Sequence, residues 1–191
     1  MYADHVDFAT PLFLEVPALF SPDECRALLG RFAALDWLPA TINRSTGRAV
    51  DVRVRDNLTV LVRDPAIAAD LFARIAPHVP ATMTSAWDGP RRRVELAGLF
   101  EPLRVYRYEV GHHFGAHTDQ SYVQAGARSL LTLLVYLDDD FAGGETELLE
   151  VGRTIVPRTG SVLWFQHALL HSGNRVLRGT KHVLRTDVLY R

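Results

Sequence analysis

The sequence predicts an α+β protein: a β-sandwich or jelly-roll barrel with N-terminal helices packed on one sheet face. Three observations carry this. Helix signals are confined to the N-terminal half, and helices segregated to one end of a chain pack on one face of an antiparallel sheet. From about Leu103 onward, short runs rich in Val, Leu, Tyr and Thr follow one another, as strands do. Clusters of Gly, Pro, Ser and Asn separate those runs, the punctuation of many-stranded sandwiches and jelly rolls.

Taken in order, the first helix is announced by Ser21-Pro22-Asp23-Glu24, a capping box with proline at the first helical position. Cys25, Leu28, Leu29 and Phe32 follow at the spacing of an amphipathic stripe. The polar stretch Thr41 to Arg48 reads as a mobile loop. Val50, Val52 and Val54 alternate with Asp51, Arg53 and Arg55, which predicts a strand. A second helix begins at Asp64-Pro65. It turns Ile67, Leu71, Phe72 and Ile75 inward and is stopped by Pro77 and Pro80. Strands are expected at Leu103 to Tyr108, Ser129 to Leu137, Thr146 to Leu149, Ser161 to Gln166 and His182 to Tyr190. Turns fall at Ala142-Gly143-Gly144, Pro157 to Gly160, Ser172-Gly173-Asn174 and Arg178-Gly179-Thr180.

A length of 191 residues favours one domain over 1–191, with 1–95 as helical support and flanking strands and 96–191 as the strand-rich core. The formal net charge is −1, so neither nucleic acid nor an anionic membrane is an obvious electrostatic partner. With 48% hydrophobic and 23% charged residues, the composition is globular rather than disordered. Cys25 is the one cysteine, which excludes a thiolate-rich zinc site or a Cys-ligated iron–sulfur cluster. Any metal must be held by nitrogen and oxygen, and there are 8 histidines to supply the nitrogen. The N-terminus lacks the positive region of a signal peptide and no apolar run reaches membrane-span length, so a cytoplasmic location is expected.

His117-Thr118-Asp119 is the sharpest local feature. On a strand, residues two apart share a face, which would place an imidazole beside a carboxylate. His171 follows the apolar run Ser161 to Gln166, next to a turn. Two histidines and one carboxylate form the facial triad of non-haem Fe(II) oxygenases, with positions left open for substrate and O₂. Lys181, ahead of the last strand, can set an ammonium deeper in the barrel, opposite a carboxylate.

Four segments resemble, in order, the signature of 2-oxoglutarate-dependent Fe(II) dioxygenases of the prolyl 4-hydroxylase type. They are Arg107 to Asp119, Leu131 to Asp138 followed by Gly143-Gly144-Glu145-Thr146, His171-Ser172-Gly173, and Gly179-Thr180-Lys181. The resemblance covers roughly residues 95–191. It implies a double-stranded β-helix, cupin-like, with His117, Asp119 and His171 as catalytic Fe(II) ligands. It implies that Lys181 pairs with the distal carboxylate of 2-oxoglutarate, in a pocket lined by Tyr108, Tyr136 and Thr146. The reaction implied is hydroxylation of an unactivated C–H with oxidative decarboxylation of 2-oxoglutarate to succinate and CO₂, consuming O₂, with ascorbate as reductant. Asp119 favours hydroxylation, because related halogenases lack that carboxylate. The implied substrate is a prolyl or other protein residue, or a small amino acid or metabolite.

Arg55 and Asn57, in a polar stretch like one that family members use near substrate, are substrate candidates. So are Trp164, Arg185 and Asp187. Asp187 stands where many relatives carry tryptophan. With Arg185 it shares the face of Lys181, where the two can pair with each other or select a polar substrate. His112 and His113 read as loop residues, His167 as structural with a backbone carbonyl partner, His182 as packed outside the barrel, and Arg91 to Arg93 as a solvated loop. His5-Val6-Asp7, a second His-x-Asp, falls in an expected frayed terminus. Arg104 and Arg107, three apart on one strand, point to opposite faces. Two other classes fit a metal-bearing jelly roll: a non-catalytic sensor or binding module, and a zinc cupin isomerase or hydrolase.

Overall fold

The computed structural model describes residues 5–44, 47–87 and 89–191. The strands in chain order are β1 (Phe13–Val16), β2 (Leu38–Pro39), β3 (Ile42–Arg44), β4 (Gly47–Ala49), β5 (Leu58–Val62), β6 (Thr82–Ser85), β7 (Arg92–Leu99), β8 (Leu103–Tyr108) and β9 (Phe114–His117). They continue with β10 (Val123–Gln124), β11 (Ala127–Tyr136), β12 (Phe141–Gly143), β13 (Thr146–Leu148), β14 (Arg153–Ile155), β15 (Val162–Gln166), β16 (His171–Gly173), β17 (Val176–Gly179) and β18 (Lys181–Tyr190). Two helices, α1 (Pro22–Ala33) and α2 (Pro65–Ile75), precede most of them.

Both helices start where the sequence places them. The Ser21 hydroxyl accepts from the Glu24 amide while the Glu24 carboxylate accepts from the Ser21 amide, and Asp64 accepts from the amides of Ala66 and Ile67. Each cap satisfies backbone donors that a helix start leaves unpaired. Cys25, Phe32, Ile67, Leu71 and Ile75 are buried against one face of a ten-stranded sheet, whose main path runs β1-β15-β11-β18-β8-β5-β2. Residues 1–95 therefore contribute strands to the main sheet as well as helices. A four-stranded sheet, β14-β13-β16-β9, faces the opposite side, where Leu148 and Ile155 pack with Tyr136, Leu163, Phe165 and Val183. Among the described residues the sheets remain open paths and none closes into a barrel, so the expected barrel is two facing sheets. No described helix is long and apolar enough to cross a membrane.

Three local expectations change. Val50 to Val54 is not a strand: residues 52–54 form a turn, and Val50 and Val52 are exposed. The Asp51 carbonyl accepts from the amides of Val54 and Arg55, and its carboxylate from the Arg53 amide. Asp offers the backbone this local alternative, which outcompetes the alternating pattern. Asp7 is not frayed but 3% exposed, with its carboxylate accepting from the Thr84 amide and its own amide donating to Gln166. Arg92 and Arg93 open β7 rather than lying in a loop. The Thr41 to Arg48 stretch carries the strand pair β3–β4, and Ser45 and Thr46 at its centre lie outside the described residues.

Candidate active site

The site lies between the two sheets, on the face of the main sheet that looks away from the helices. β9 and β16 run antiparallel with His171 opposite His117. β9 ends at His117, so strand alternation does not place Asp119. Instead the Asp119 amide donates to the His167 carbonyl at 3.0 Å, which folds its carboxylate back toward the histidines. His171 opens a short strand of its own. Asp119 Oδ1 lies 3.8 Å from His117 Nε2, and Oδ2 lies 3.7 Å from His171 Nε2. One donor atom from each of the three residues fits within 4.8 Å of the others.

The state of each donor suits a metal. His117 Nδ1 bonds the Gly115 carbonyl at 2.8 Å and His171 Nδ1 bonds the Leu169 carbonyl at 2.9 Å. A carbonyl only accepts, so both rings carry the proton on Nδ1 and turn the Nε2 lone pair inward. Burial disfavours imidazolium: it lowers His117 to about 4, helped by the neighbouring His171, and lowers His171 too. Phe114 stacks on His117 at 3.6 Å and Phe165 tilts against His171 at 4.4 Å, holding the rings. Burial alone would raise Asp119. The Arg185 guanidinium outweighs it and keeps the carboxyl well below the usual range. Two neutral imidazoles and one carboxylate are thus ready to ligate at neutral pH.

Behind Asp119 runs a hydrogen-bond chain with one consistent direction. The Thr132 hydroxyl has a single proton, which it gives to Asp119 Oδ2. It therefore accepts from His167 Nδ1–H at 2.8 Å. Burial keeps the His167 ring neutral, so its Nε2 accepts from the Ser129 hydroxyl at 3.0 Å, which in turn accepts from the Tyr122 amide at 2.9 Å. Arg185 adds a second contact to Asp119 Oδ2 at 3.2 Å and is backed by Asp187 at 2.9 Å. Oδ2 is engaged twice, and Oδ1 is the oxygen left for a metal.

A cavity of about 690 Å³ opens over these groups, and Lys181, Tyr108 and Thr146 line its other end. Lys181 is 4% exposed and sits 5.3 Å from the Tyr108 ring and 5.5 Å from the Tyr136 ring. Its Nζ donates to the Gly144 carbonyl at 2.5 Å. Burial lowers it to about 8, against Asp138 and Glu145, and among the described residues no carboxylate is within ion-pair distance of it. Tyr136 does not line the cavity: it is fully buried, and its hydroxyl donates to Thr146 Oγ1 at 2.8 Å. Gly143 (φ +74) makes the turn beside this pocket, where an added Cβ would fall 2.2 Å from the Arg175 carbonyl oxygen. Thr146 is two residues from Leu148, which pairs with His171. The lysine end and the triad are thus roughly 7 Å apart along the strand, the reach of a five-carbon diacid.

The substrate candidates divide. Arg55 lines the cavity, over Phe114 at 4.0 Å, and Arg185 lines it too. Asn57 does not: it is fully buried behind Arg55, whose Nε donates to it at 3.0 Å. Trp164 is on the wrong face. It packs with the helices and its indole N–H donates to the His78 carbonyl, while Phe165 faces the cavity instead. Asp187 is fully buried beneath Arg185 and takes the internal-pair role. His167 is structural, but its ring bonds two hydroxyls rather than a carbonyl. Of the two strand arginines, Arg104 faces the cavity while Arg107 lies over Trp37 at 5.0 Å. His113 bonds Asp56 and His182 bonds Asp138, away from the triad. Sequence reasoning missed Thr132. The signal available was its place on the cavity face of β11, two residues from Leu134.

Two histidines and a carboxylate between the facing sheets of an antiparallel fold define the non-haem Fe(II) oxygenase class. Residues 103–186 match the family model of the 2OG-Fe(II) oxygenase superfamily. The chain is 27% identical over 184 residues to a PKHD-type hydroxylase of Gluconobacter oxydans, covering 89% of this chain and 74% of that one. Its fold is similar to a Pseudomonas putida prolyl-4-hydroxylase, with TM-score 0.63, 19% identity and 100% of both chains covered. It is also similar to a Trichoplax adhaerens prolyl hydroxylase in complex with a hypoxia inducible factor peptide fragment, with TM-score 0.67, 13% identity and 94% and 84% covered. These likenesses establish the jelly-roll fold. The strand-rich part of the chain thus matches the 2OG-Fe(II) oxygenase superfamily, and the chain as a whole is similar to hydroxylases of the prolyl 4-hydroxylase type.

Proposed function

We propose that His117, Asp119 and His171 hold Fe(II), and that Lys181, Tyr108 and Thr146 form the 2-oxoglutarate pocket, with Tyr136 behind Thr146 as its support. The primary substrate is a prolyl or other residue of a protein or peptide, or a free amino acid, admitted through the open cavity. One observation carries this reading: a ligation-ready donor set faces a buried ammonium that lacks a carboxylate partner among the described residues, across one cavity. When bound, Fe(II) supplies O₂ chemistry coupled to decarboxylation of 2-oxoglutarate to succinate and CO₂. The protein's share is placement. Lys181 offers a charge-assisted hydrogen bond to the distal carboxylate, and the aromatic walls keep that pocket dry. Arg185 and Thr132 fix the orientation of Asp119, and Phe165 and Phe114 hold the imidazoles. The family match favours this over a zinc isomerase or a non-catalytic sensor.

The Trichoplax adhaerens neighbour with its peptide supports a peptidyl substrate, as does the wide cavity rim, where Leu38 is 64% exposed. The β3–β4 pair beside that rim is proposed as its lid, since Thr41 and Ile42 line the cavity. Incubating the Fe(II)-loaded enzyme with 2-oxoglutarate, peptide libraries and amino acids, followed by mass spectrometry, should reveal a product with one added oxygen. Absence of such a product across peptides and amino acids, with succinate formation unstimulated, counts against the substrate assignment.

A further inference from the structure

The cavity holds more positive charge than the 2-oxoglutarate and metal sites use. Arg55, Arg104, Lys181 and Arg185 line it against Asp36 and Asp119. Lys181 is taken up by the cosubstrate pocket, and Arg185 is neutralised by Asp119 and Asp187. Arg104 is not. Among the described residues its Nη1 is buried without a hydrogen-bond partner, as is Thr59 Oγ1 on the adjacent strand. Arg104 and Thr59 both lie on the cavity face: β5 pairs with β8, with Leu61 opposite Arg104 and Thr59 opposite Tyr106. The guanidinium is flanked by the Phe100 and Tyr122 rings, each 6.0 Å away, which orient it. Buried donors are ordinarily satisfied, and a guanidinium left short of a partner is suited to an anionic one.

Position separates this group from the cosubstrate. Lys181 pairs with Tyr108 and Arg185 with Arg104 on the same two strands, so Arg104 stands roughly 13 Å along the sheet from Lys181. A five-carbon diacid spanning Lys181 and the triad does not extend there. Arg104 is also the cross-strand neighbour of Arg185, which touches Asp119. A group bound at Arg104 therefore flanks the triad on the side away from 2-oxoglutarate, where the C–H to be oxidised must sit.

We propose that Arg104, with Thr59, binds a carboxylate of the primary substrate, so that the enzyme selects acidic substrates. This rests on the reading above of the triad and Lys181. The test uses N-acetyl-L-amino acids and their carboxamides, with acetyl-aspartyl and acetyl-glutamyl amides separating a side-chain from a main-chain carboxylate. Binding is read by saturation-transfer NMR on protein loaded with Zn(II) and 2-oxoglutarate. Acids should bind about tenfold or more tightly than their amides. R104Q should abolish the preference, R104E should shift it toward amine-bearing probes such as acetyl-lysine amide, and T59V should reduce it. Acids and amides binding alike, or R104Q retaining the preference, overturns the proposal. The underlying reading is checked separately by Fe(II)-dependent succinate formation in the wild type. If that fails while the acid preference persists, the metal and cosubstrate assignment is wrong and the carboxylate site stands.

Discussion

On β11, Leu131, Leu133 and Val135 point to the helices, while Thr132, Leu134 and Tyr136 point to the second sheet. β18 divides the same way, with Leu184, Val188 and Tyr190 on one side and Lys181, Val183, Arg185 and Asp187 on the other. One set of strands thus has two unlike faces. The helix face is apolar, and its contribution scales with buried volume. The cavity face is a polar network in a buried place, where each group depends on the few partners it bonds. Removing volume on the first should cost stability and spare chemistry. Removing one atom on the second should do the reverse.

The largest contrast comes from His171→Ala, which should abolish Fe(II)-dependent succinate formation while the urea midpoint moves little. Leu133→Ala on the opposite face should lower unfolding stability by about 2–5 kcal/mol in urea titrations and leave metal affinity unchanged. Thr132→Val keeps the shape but removes the hydroxyl between His167 and Asp119. Metal dissociation constants measured by competition with a chelator should rise about 10- to 100-fold, as for other outer-shell changes. The smallest effect is a pH dependence. Burial depresses Lys181 to about 8, so the ammonium is present below that pH and lost above it. The KM for 2-oxoglutarate should be level below pH 8 and rise by up to about tenfold per unit above it. Lys181→Met should be weak throughout and lose the slope.

Much of the contrast was legible in the sequence, because parity along a strand decides the face. Lys181, Arg185 and Asp187 were placed together by that rule, and both helices by their caps. Parity alone does not say which face is which, and of the neighbours Trp164 and Phe165 it is Phe165 that takes the cavity side. The chain His167–Thr132–Asp119 was not legible, since it joins β11, the turn after β15 and the end of β9. Only three-dimensional register brings those together. Asp51 misled for the opposite reason: its hydrogen bonds are local, and they override an alternating valine pattern. Asp119 lies beside His117, but its position comes from the bond to the His167 carbonyl and not from a strand.

Anaerobic calorimetric titration of 2-oxoglutarate into the protein, with and without Fe(II), tests most directly whether the cavity face is one metal and cosubstrate centre. One-to-one binding that requires Fe(II), disappears in His171→Ala and weakens at least tenfold in Lys181→Met is the predicted result. Equal binding with and without metal, or binding indifferent to Lys181, would contradict it.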